Sequence, residues 1–295
     1  MTVDEAVAPV IAFRVDADSG VGYGHLERCL RLAAHPGTAA AREQAIEQVF
    51  ASCETLGRRG VARAVIDGLG VDALVADAAF PAEMVVAPYA GVAPLVRAGL
   101  IHLHGSSYAV LAGGPGAPAA VKPRAQRVLL TFGGSDPLSL TELCLEALER
   151  LSDPAIDCDV IAGPGVAASR RAALRVQAAR LPRPAMVIDS PPNLDAVMRA
   201  ADVAISTTGL TKYELAHAGV PAMFIALDAD QAANHRAFDA LGTGVTLGVA
   251  GAVTAERIAS ELAALIKDQP RRTEMSAAGR RAVDGQGAAR IARAI

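Results

Sequence analysis

The sequence predicts an α/β protein of two lobes, and three observations carry that expectation. From about residue 125 onward, short apolar runs alternate with helical stretches, as the strands and crossover helices of a parallel sheet do. The chain is 52% hydrophobic, yet aromatic residues make up 3% and Trp is absent. Its cores must therefore be built from Ala, Val, Leu and Ile, the composition of sheets covered on both faces by helices. At 295 residues the chain also exceeds a typical single domain, which runs to roughly 100–200 residues.

In the second lobe the apolar runs place strands at 127–132, 157–162, 185–189, 202–206 and 221–227. Helical patterns fall between and after them at 139–151, 166–180, 193–200, 210–218 and 230–241, each entered through Ser, Thr, Asn, Asp or Gly. This is the pattern of a doubly wound sheet. The first lobe offers a strand at 10–15, a helix at 22–34 and a second helix at 39–56 with no strand between them. Short strand candidates follow at 64–66, 73–75 and 101–103. Residues 112–123 are rich in Gly, Pro and Ala without periodicity and read as the linker. The lobes are then 1–111, small and trimmed, and 125–295. The segment 271–295 reads as a helix whose arginines, Arg272, Arg280, Arg281, Arg290 and Arg293, line a solvated face as it packs back across the lobes.

A net charge of −3 provides no basic surface for polyanionic nucleic acid. Cys29, Cys53, Cys144 and Cys158 have neither C-x-x-C nor metal spacing and read as reduced core residues. Residues 1–9 carry two acids and no basic leader, and the longest apolar stretch, 85–96, contains prolines and is too short to span a bilayer. A cytoplasmic protein with no membrane span is expected.

Three strand–glycine-turn–helix segments concentrate the candidate chemistry. In the first, Arg14 to His25, Gly20, Gly22 and Gly24 remove side chains where backbone N–H groups approach an anion, and Tyr23 lies among them. His25, on the first helical turn, is placed to act as general base or to polarise a phosphate oxygen. The alternative is a tight turn with a capping histidine. In the second, Thr131-Phe-Gly-Gly-Ser-Asp-Pro137, the turn stands at a strand's carboxyl end, where open parallel sheets bind ligands. Gly133, Gly134 and Ser135 offer small, donor-rich contacts to phosphate, while Asp136 and Pro137 also suit a plain helix start. In the third, Ser206 to Ala216, Thr207, Thr208 and Gly209 open a helix. Glu214 on that helix is placed to accept ribose hydroxyls or to pair with a buried neighbour. After the next strand, Gln231 and Asn234 lie about one helical turn apart, either facing the sugar or forming an ordinary polar face.

Asp16/Asp18 and Asp228/Asp230 have the spacing of hard-cation ligands, but both fit helix capping, and no metal or cofactor is assigned. Walker A, Ser-centred elbow and zinc spacings are absent from the sequence.

At these residues the chain resembles the nucleotide-sugar hydrolases of pseudaminic acid biosynthesis, which release UDP from UDP-2,4-diacetamido-2,4,6-trideoxy-β-L-altropyranose, and the related spore-coat polysaccharide proteins. The resemblance rests on Arg14, Asp16, Gly22, Gly24, His25, Arg28 and Cys29, on Thr131 to Pro137, on Gly209 with Glu214 to Ala216, on Gln231 and Asn234, and on Asp284 to Ala288. It implies a GT-B-like fold, with two Rossmann-like domains facing across a cleft and the N-terminal one shortened. It also implies a metal-independent site with His25 and Asp16 as catalytic residues, His25 activating water against the anomeric carbon, and Glu214 on the ribose of a uridine diphosphate. The expected partner is a small-molecule nucleotide-sugar, with a partner protein or second copy completing the first lobe. The aspartate-histidine-tyrosine motif that approaches the sugar in that family has no counterpart here. The expected activity is hydrolysis of a UDP-linked or similar sugar. Transfer of the sugar to a small acceptor, and a catalytically weakened nucleotide-sugar binding protein, stand as alternatives.

Overall fold

A computed structural model describes residues 64–66, 84–111, 120–191 and 193–294, the first three by backbone alone. The expected strands at 10–15 and 73–75, the helices at 22–34 and 39–56, Cys29, Cys53 and most of the linker lie outside the described residues. The rest falls into two compact units, 64–111 with 285–294 and 120–284.

The first unit carries three parallel strands in sequence order, β1 (Ala64–Ile66), β2 (Met84–Ala87) and β3 (Ile101–His104). β1 and β3 meet the expectations at 64–66 and 101–103. β2 was not expected, because Met84-Val-Val-Ala87 is buried throughout and a fully buried strand shows no alternation to mark it. The helix Gly287–Ala294 packs here through Ile291, which clusters with Met84, Val86 and Val110. Its close approach explains the glycine that opens it: a Cβ on Gly287 would stand 2.2 Å from the Ala109 carbonyl oxygen. Arg290 Nη1 fixes the contact by donating to the Ser107 carbonyl at 2.7 Å.

The second unit is a six-stranded parallel sheet of β4 (Arg127–Thr131), β5 (Asp157–Ala162), β6 (Met186–Asp189), β7 (Val203–Thr207), β8 (Ala222–Ala226) and β9 (Gly244–Val249). The strand order is β6-β5-β4-β7-β8-β9. The first five strands lie within a residue or so of their expected positions. The helices are α1 (Leu140–Leu151), α2 (Ala168–Ala178), α3 (Leu194–Ala200), α4 (Thr211–Ala218), α5 (Ala229–Asp239), α6 (Ala255–Lys267) and α7 (Gln269–Ala282). β9 and α6 go beyond the elements expected. β9 is an edge strand interrupted by glycines and only partly buried. α6 buries Ala255, Ile258, Leu262, Leu265 and Ile266 at helical spacing and packs on the matching face of α1, Leu140, Cys144, Leu145 and Leu148. Both described cysteines, Cys144 and Cys158, are free and buried, and burial pushes their thiols up. Among the described residues no helix is long and apolar enough to cross a membrane.

The expected helix 271–295 is two helices, parted at Asp284-Gly285, where Gly285 takes φ +77°. Arg272 is not on a solvated face but fully buried. Its guanidinium donates to the carbonyls of Leu265 and Ile266 in the last turn of α6, and to Lys122 at 2.6 Å and Pro123 at 3.2 Å. It satisfies helix-end acceptors that have no intrahelical donor and ties the segment entering β4 to the α6–α7 corner. Replacing Arg272 with Met leaves those carbonyls buried without donors. The expected loss is about 3 kcal/mol of stability, read from urea unfolding; an unchanged midpoint contradicts the capping role.

Candidate functional site

β4 leads through β5 to β6 on one side of the sheet, and β7 leads through β8 to β9 on the other, so the strand order reverses between β4 and β7. At such a switch point the loops leaving two adjacent strands diverge and open a crevice at their carboxyl ends. The β4–β7 register pairs Thr131 with Ser206, so the turns that follow, Gly133 to Ser135 and Thr207 to Gly209, leave the sheet side by side. Two of the three sequence-predicted segments are thereby brought together. Arg14, Asp16, Gly22, Tyr23, Gly24 and His25 lie outside the described residues.

The first turn is built to stay in place. Gly133 adopts φ +74° and a Cβ there would meet nothing within 4 Å, so this glycine serves backbone conformation and leaves its surroundings open. Asp136, buried and at φ +45°, accepts the backbone N–H groups of Leu140 at 2.9 Å and Thr141 at 3.0 Å and the Thr141 hydroxyl at 2.6 Å. It thus caps α1 from outside the helix. Arg170 on α2 locks the turn, donating to the carbonyls of Asp136 at 2.7 Å and Ser135 at 3.1 Å, and to the carboxylates of Asp136 and Glu142 at 2.7 Å each. The same guanidinium holds the Glu142 carboxyl below its ordinary value. Behind the turn runs Gly163-Pro164-Gly165, a glycine pair after β5 that sequence reasoning passed over. A Cβ on Gly163 would stand 2.4 Å and 2.5 Å from the Gly134 and Gly133 carbonyl oxygens, and Gly165 N–H donates to the Gly134 carbonyl at 2.8 Å. The carbonyls of the glycine turn are therefore held against the protein.

The second turn is joined to the next strand end. Thr208, 6% exposed, donates its hydroxyl to Gln231 Oε1 at 3.1 Å, and that oxygen also accepts Leu227 N–H at 3.4 Å. Gln231 therefore braces the Thr208 turn against the end of β8. Asp228 caps α5, accepting Gln231 N–H at 2.7 Å, while Asn234 is exposed on the same helix and Glu214 sits half-buried in the first turn of α4. Gly209 is exposed.

Beneath this layer lies a pair that the motif reading missed, Lys212 and His235, 5% and 1% exposed, with Nζ 3.5 Å from Nδ1. Lys212 Nζ stands 5.2 Å and 5.0 Å from the Tyr213 and Phe238 ring centroids, and His235 lies edge-on to Phe224. Burial lowers the Lys212 ammonium to a pKa of about 8. Burial, reinforced by the Lys212 charge, lowers His235 to about 4. At neutral pH the pair is a charged ammonium beside a neutral ring. The available signal was a lysine one residue into a short helix, TKYELAHA, that is buried nearly all round.

A cavity of about 250 Å³ lined by Arg124, Ser152, Asp153 and Lys267 opens near the start of β4, away from the carboxyl ends. Its arginine is already engaged by Asp153.

Two outcomes follow from this geometry. Asp136→Ala removes a cap and leaves Arg170 without one of its carboxylates; the expected loss is about 3 kcal/mol, measured by urea denaturation, and a loss below about 0.5 kcal/mol, the range of ordinary surface changes, contradicts it. Because His235 has a lower pKa folded than unfolded, the unfolded chain takes up a proton that the folded chain refuses, so its stability contribution is present above about pH 6.5 and is lost as pH falls toward about 4. Between pH 7 and 4 the protein should lose on the order of 3 kcal/mol more than a His235→Gln variant; parallel pH profiles contradict the assignment.

Residues 128–292 match the glycosyltransferase family 28 C-terminal domain. The chain is 28% identical over 171 residues to the spore coat polysaccharide biosynthesis protein SpsG of Bacillus subtilis strain 168, covering 58% of this chain and about half the length of that curated relative, 50%. Among solved structures it is similar to Acinetobacter baumannii MurG, with a TM-score of 0.61 at 18% identity over 82% of this chain and 68% of that one. It is also similar to the spinosyn rhamnosyltransferase SpnG, with a TM-score of 0.54 at 19% identity over 93% and 77%. At these identities the structures show the fold alone, and it is the expected GT-B-like α/β fold. The expected hydrolase is overturned: the match extends from β4 to the last helix and is to a family of glycosyltransferases, so the reading kept as an alternative takes precedence. The chain belongs to the glycosyltransferase family 28 C-terminal domain family.

Proposed function

We propose that this protein is a glycosyltransferase that binds the diphosphate of a nucleotide-sugar at the carboxyl edge of the β4–β7 pair and passes the sugar to an acceptor hydroxyl. The single observation that carries this reading is the side-by-side emergence of the Gly133–Ser135 and Thr207–Gly209 turns at the switch point, inside the segment that matches the glycosyltransferase family. Similarity to a spore coat polysaccharide biosynthesis protein supports glycan construction as the setting.

In this reading the backbone N–H groups of the two turns and the hydroxyls of Ser135 and Thr207 receive the diphosphate, while Thr208, its hydroxyl given to Gln231, keeps the second turn in place. Glu214 accepts ribose hydroxyls, and Gln231 and Asn234 face the sugar side. The acceptor oxygen attacks the anomeric carbon, the bond from that carbon to the diphosphate oxygen breaks, and the nucleoside diphosphate leaves with the bonding electron pair. Donors already oriented in the turns stabilise the charge that develops on the departing oxygen without reorganising at that moment. His25, aided by Asp16, takes the acceptor's proton as the bond forms. Arg14, Gly22, Tyr23 and Gly24 complete the substrate contacts from the first glycine segment.

Purified protein incubated with a panel of UDP-, dTDP- and GDP-sugars, with and without hydroxylated acceptors, tests the reading. Release of nucleoside diphosphate is expected to depend on acceptor and to match glycosylated product, and His25→Ala is expected to reduce it by about 10²–10⁴-fold, the usual contribution of a general base. Equal release without acceptor, accompanied by stoichiometric free sugar, contradicts transfer. Full turnover by a folded His25→Ala protein contradicts the role of His25.

A further inference from the structure

Lys212 has no part in the site so far, yet its position is costly. It is 5% exposed, its only hydrogen-bonding neighbour among the described residues is the neutral His235 ring at 3.5 Å, and it rests against the Tyr213 and Phe238 rings. Burial alone accounts for its lowered pKa, with no carboxylate contributing to offset it. A buried cation without a counter-charge lowers stability, and an apolar residue of similar volume would pack there at less cost.

Its place in the fold indicates what offsets that cost. Thr208 and Lys212 are four residues apart, as are Gln231 and His235, so the Thr208–Gln231 bond at 3.1 Å and the Lys212–His235 contact form successive rungs between the α4 and α5 segments. Lys212 follows Gly209 by three residues and its backbone N–H donates to the Gly209 carbonyl at 3.3 Å, so the lysine belongs to the turn of chain that directly carries the exposed Gly209 segment into α4. Lys212 is the second residue of α4, where side chains lean back toward the helix start. Nearby, Ser206 Oγ and His235 Nε2 are buried with no hydrogen-bond partner among the described residues. A polar, positively charged floor thus underlies the turn.

We propose that Lys212 is a specificity-determining residue whose buried ammonium supplies, through space, the counter-charge for an anionic diphosphate bound at the Thr207–Gly209 turn. This rests on the site reading above and deepens it: the turns position the ligand, and Lys212 makes the site select nucleoside diphosphates over uncharged nucleosides. Its neighbours keep the charge in place. The His235 ring is neutral near pH 7, and Asp239, the carboxylate on α5 that acts on His235, does not pair with Lys212.

The test compares wild type with Lys212→Met by calorimetric titration of UDP, dTDP, GDP and inorganic pyrophosphate, with uridine, thymidine and guanosine as uncharged controls, alongside thermal unfolding of the free proteins. For Lys212→Met the preferred diphosphate and pyrophosphate are expected to bind roughly tenfold more weakly or worse, as the loss of one charge in a partly buried site implies, with nucleoside binding unchanged. Its Tm without ligand is expected to rise by roughly 2–4 °C. A residue serving packing alone moves stability and all ligands downward together, and that result overturns the proposal, as does diphosphate binding by Lys212→Met equal to wild type. Should Lys212→Met not fold, Lys212→Gln carries the same comparison. Wild type binding none of the diphosphates nor pyrophosphate overturns the site reading itself, a result distinct from failure of the Lys212 role.

Discussion

The constraint on which the rest depends is the pairing of β4 with β7. Parallel strands connected by crossover helices are normally laid down on one side of their predecessor, and here the chain returns to the first strand of the unit and continues outward on its other side. The loops after β4 and β7 are therefore adjacent in space though more than seventy residues apart in the chain. Thr131 and Ser206 are in register, so the two turns leave the sheet at the same level. The crevice is a consequence of topology; the residues placed in it decide its chemistry.

Those residues are held by buried charge, and each buried charge has a different account. Asp136 and Arg170 satisfy each other and the start of α1, fixing the first turn. Arg272 serves the carbonyls where α6 ends, anchoring the segment that leads into β4. Lys212 has neither arrangement, and the unmatched cation lies under the second turn. Charges that serve the fold alone end on acceptors supplied by the fold. A charge that does not is better explained by an acceptor arriving from outside.

Most of the second unit was legible because its strands are continuous apolar runs and its helices open at recognisable caps. The exceptions have physical reasons. β9 is an edge strand broken by Gly244 and Gly248, so neither period nor continuity marks it. β2 is buried on both faces, and a four-residue apolar run has no pattern to display. Arg272 looks in sequence like one of several arginines on a polar helix, and only the meeting of the α6 end with the segment before β4 shows that it is inside. The Gly133 and Gly209 turns were legible as candidate sites because glycine after a strand is rare without a reason. Gly163 and the Lys212–His235 rung were not, since each acts on a segment distant in sequence. The family resemblance suggested the wrong reaction, and the residues could not correct it: the glycine turns specify an anion to be held, and both hydrolysis and transfer release the same anion.

The most direct measurement is the structure of the protein with a nucleoside diphosphate bound. The account requires the diphosphate at the carboxyl ends of β4 and β7, accepting hydrogen bonds from the Gly133–Ser135 and Thr207–Gly209 segments, with the ribose toward Glu214. A diphosphate seated instead in the cavity lined by Arg124 and Lys267, with the two glycine turns vacant, would contradict it.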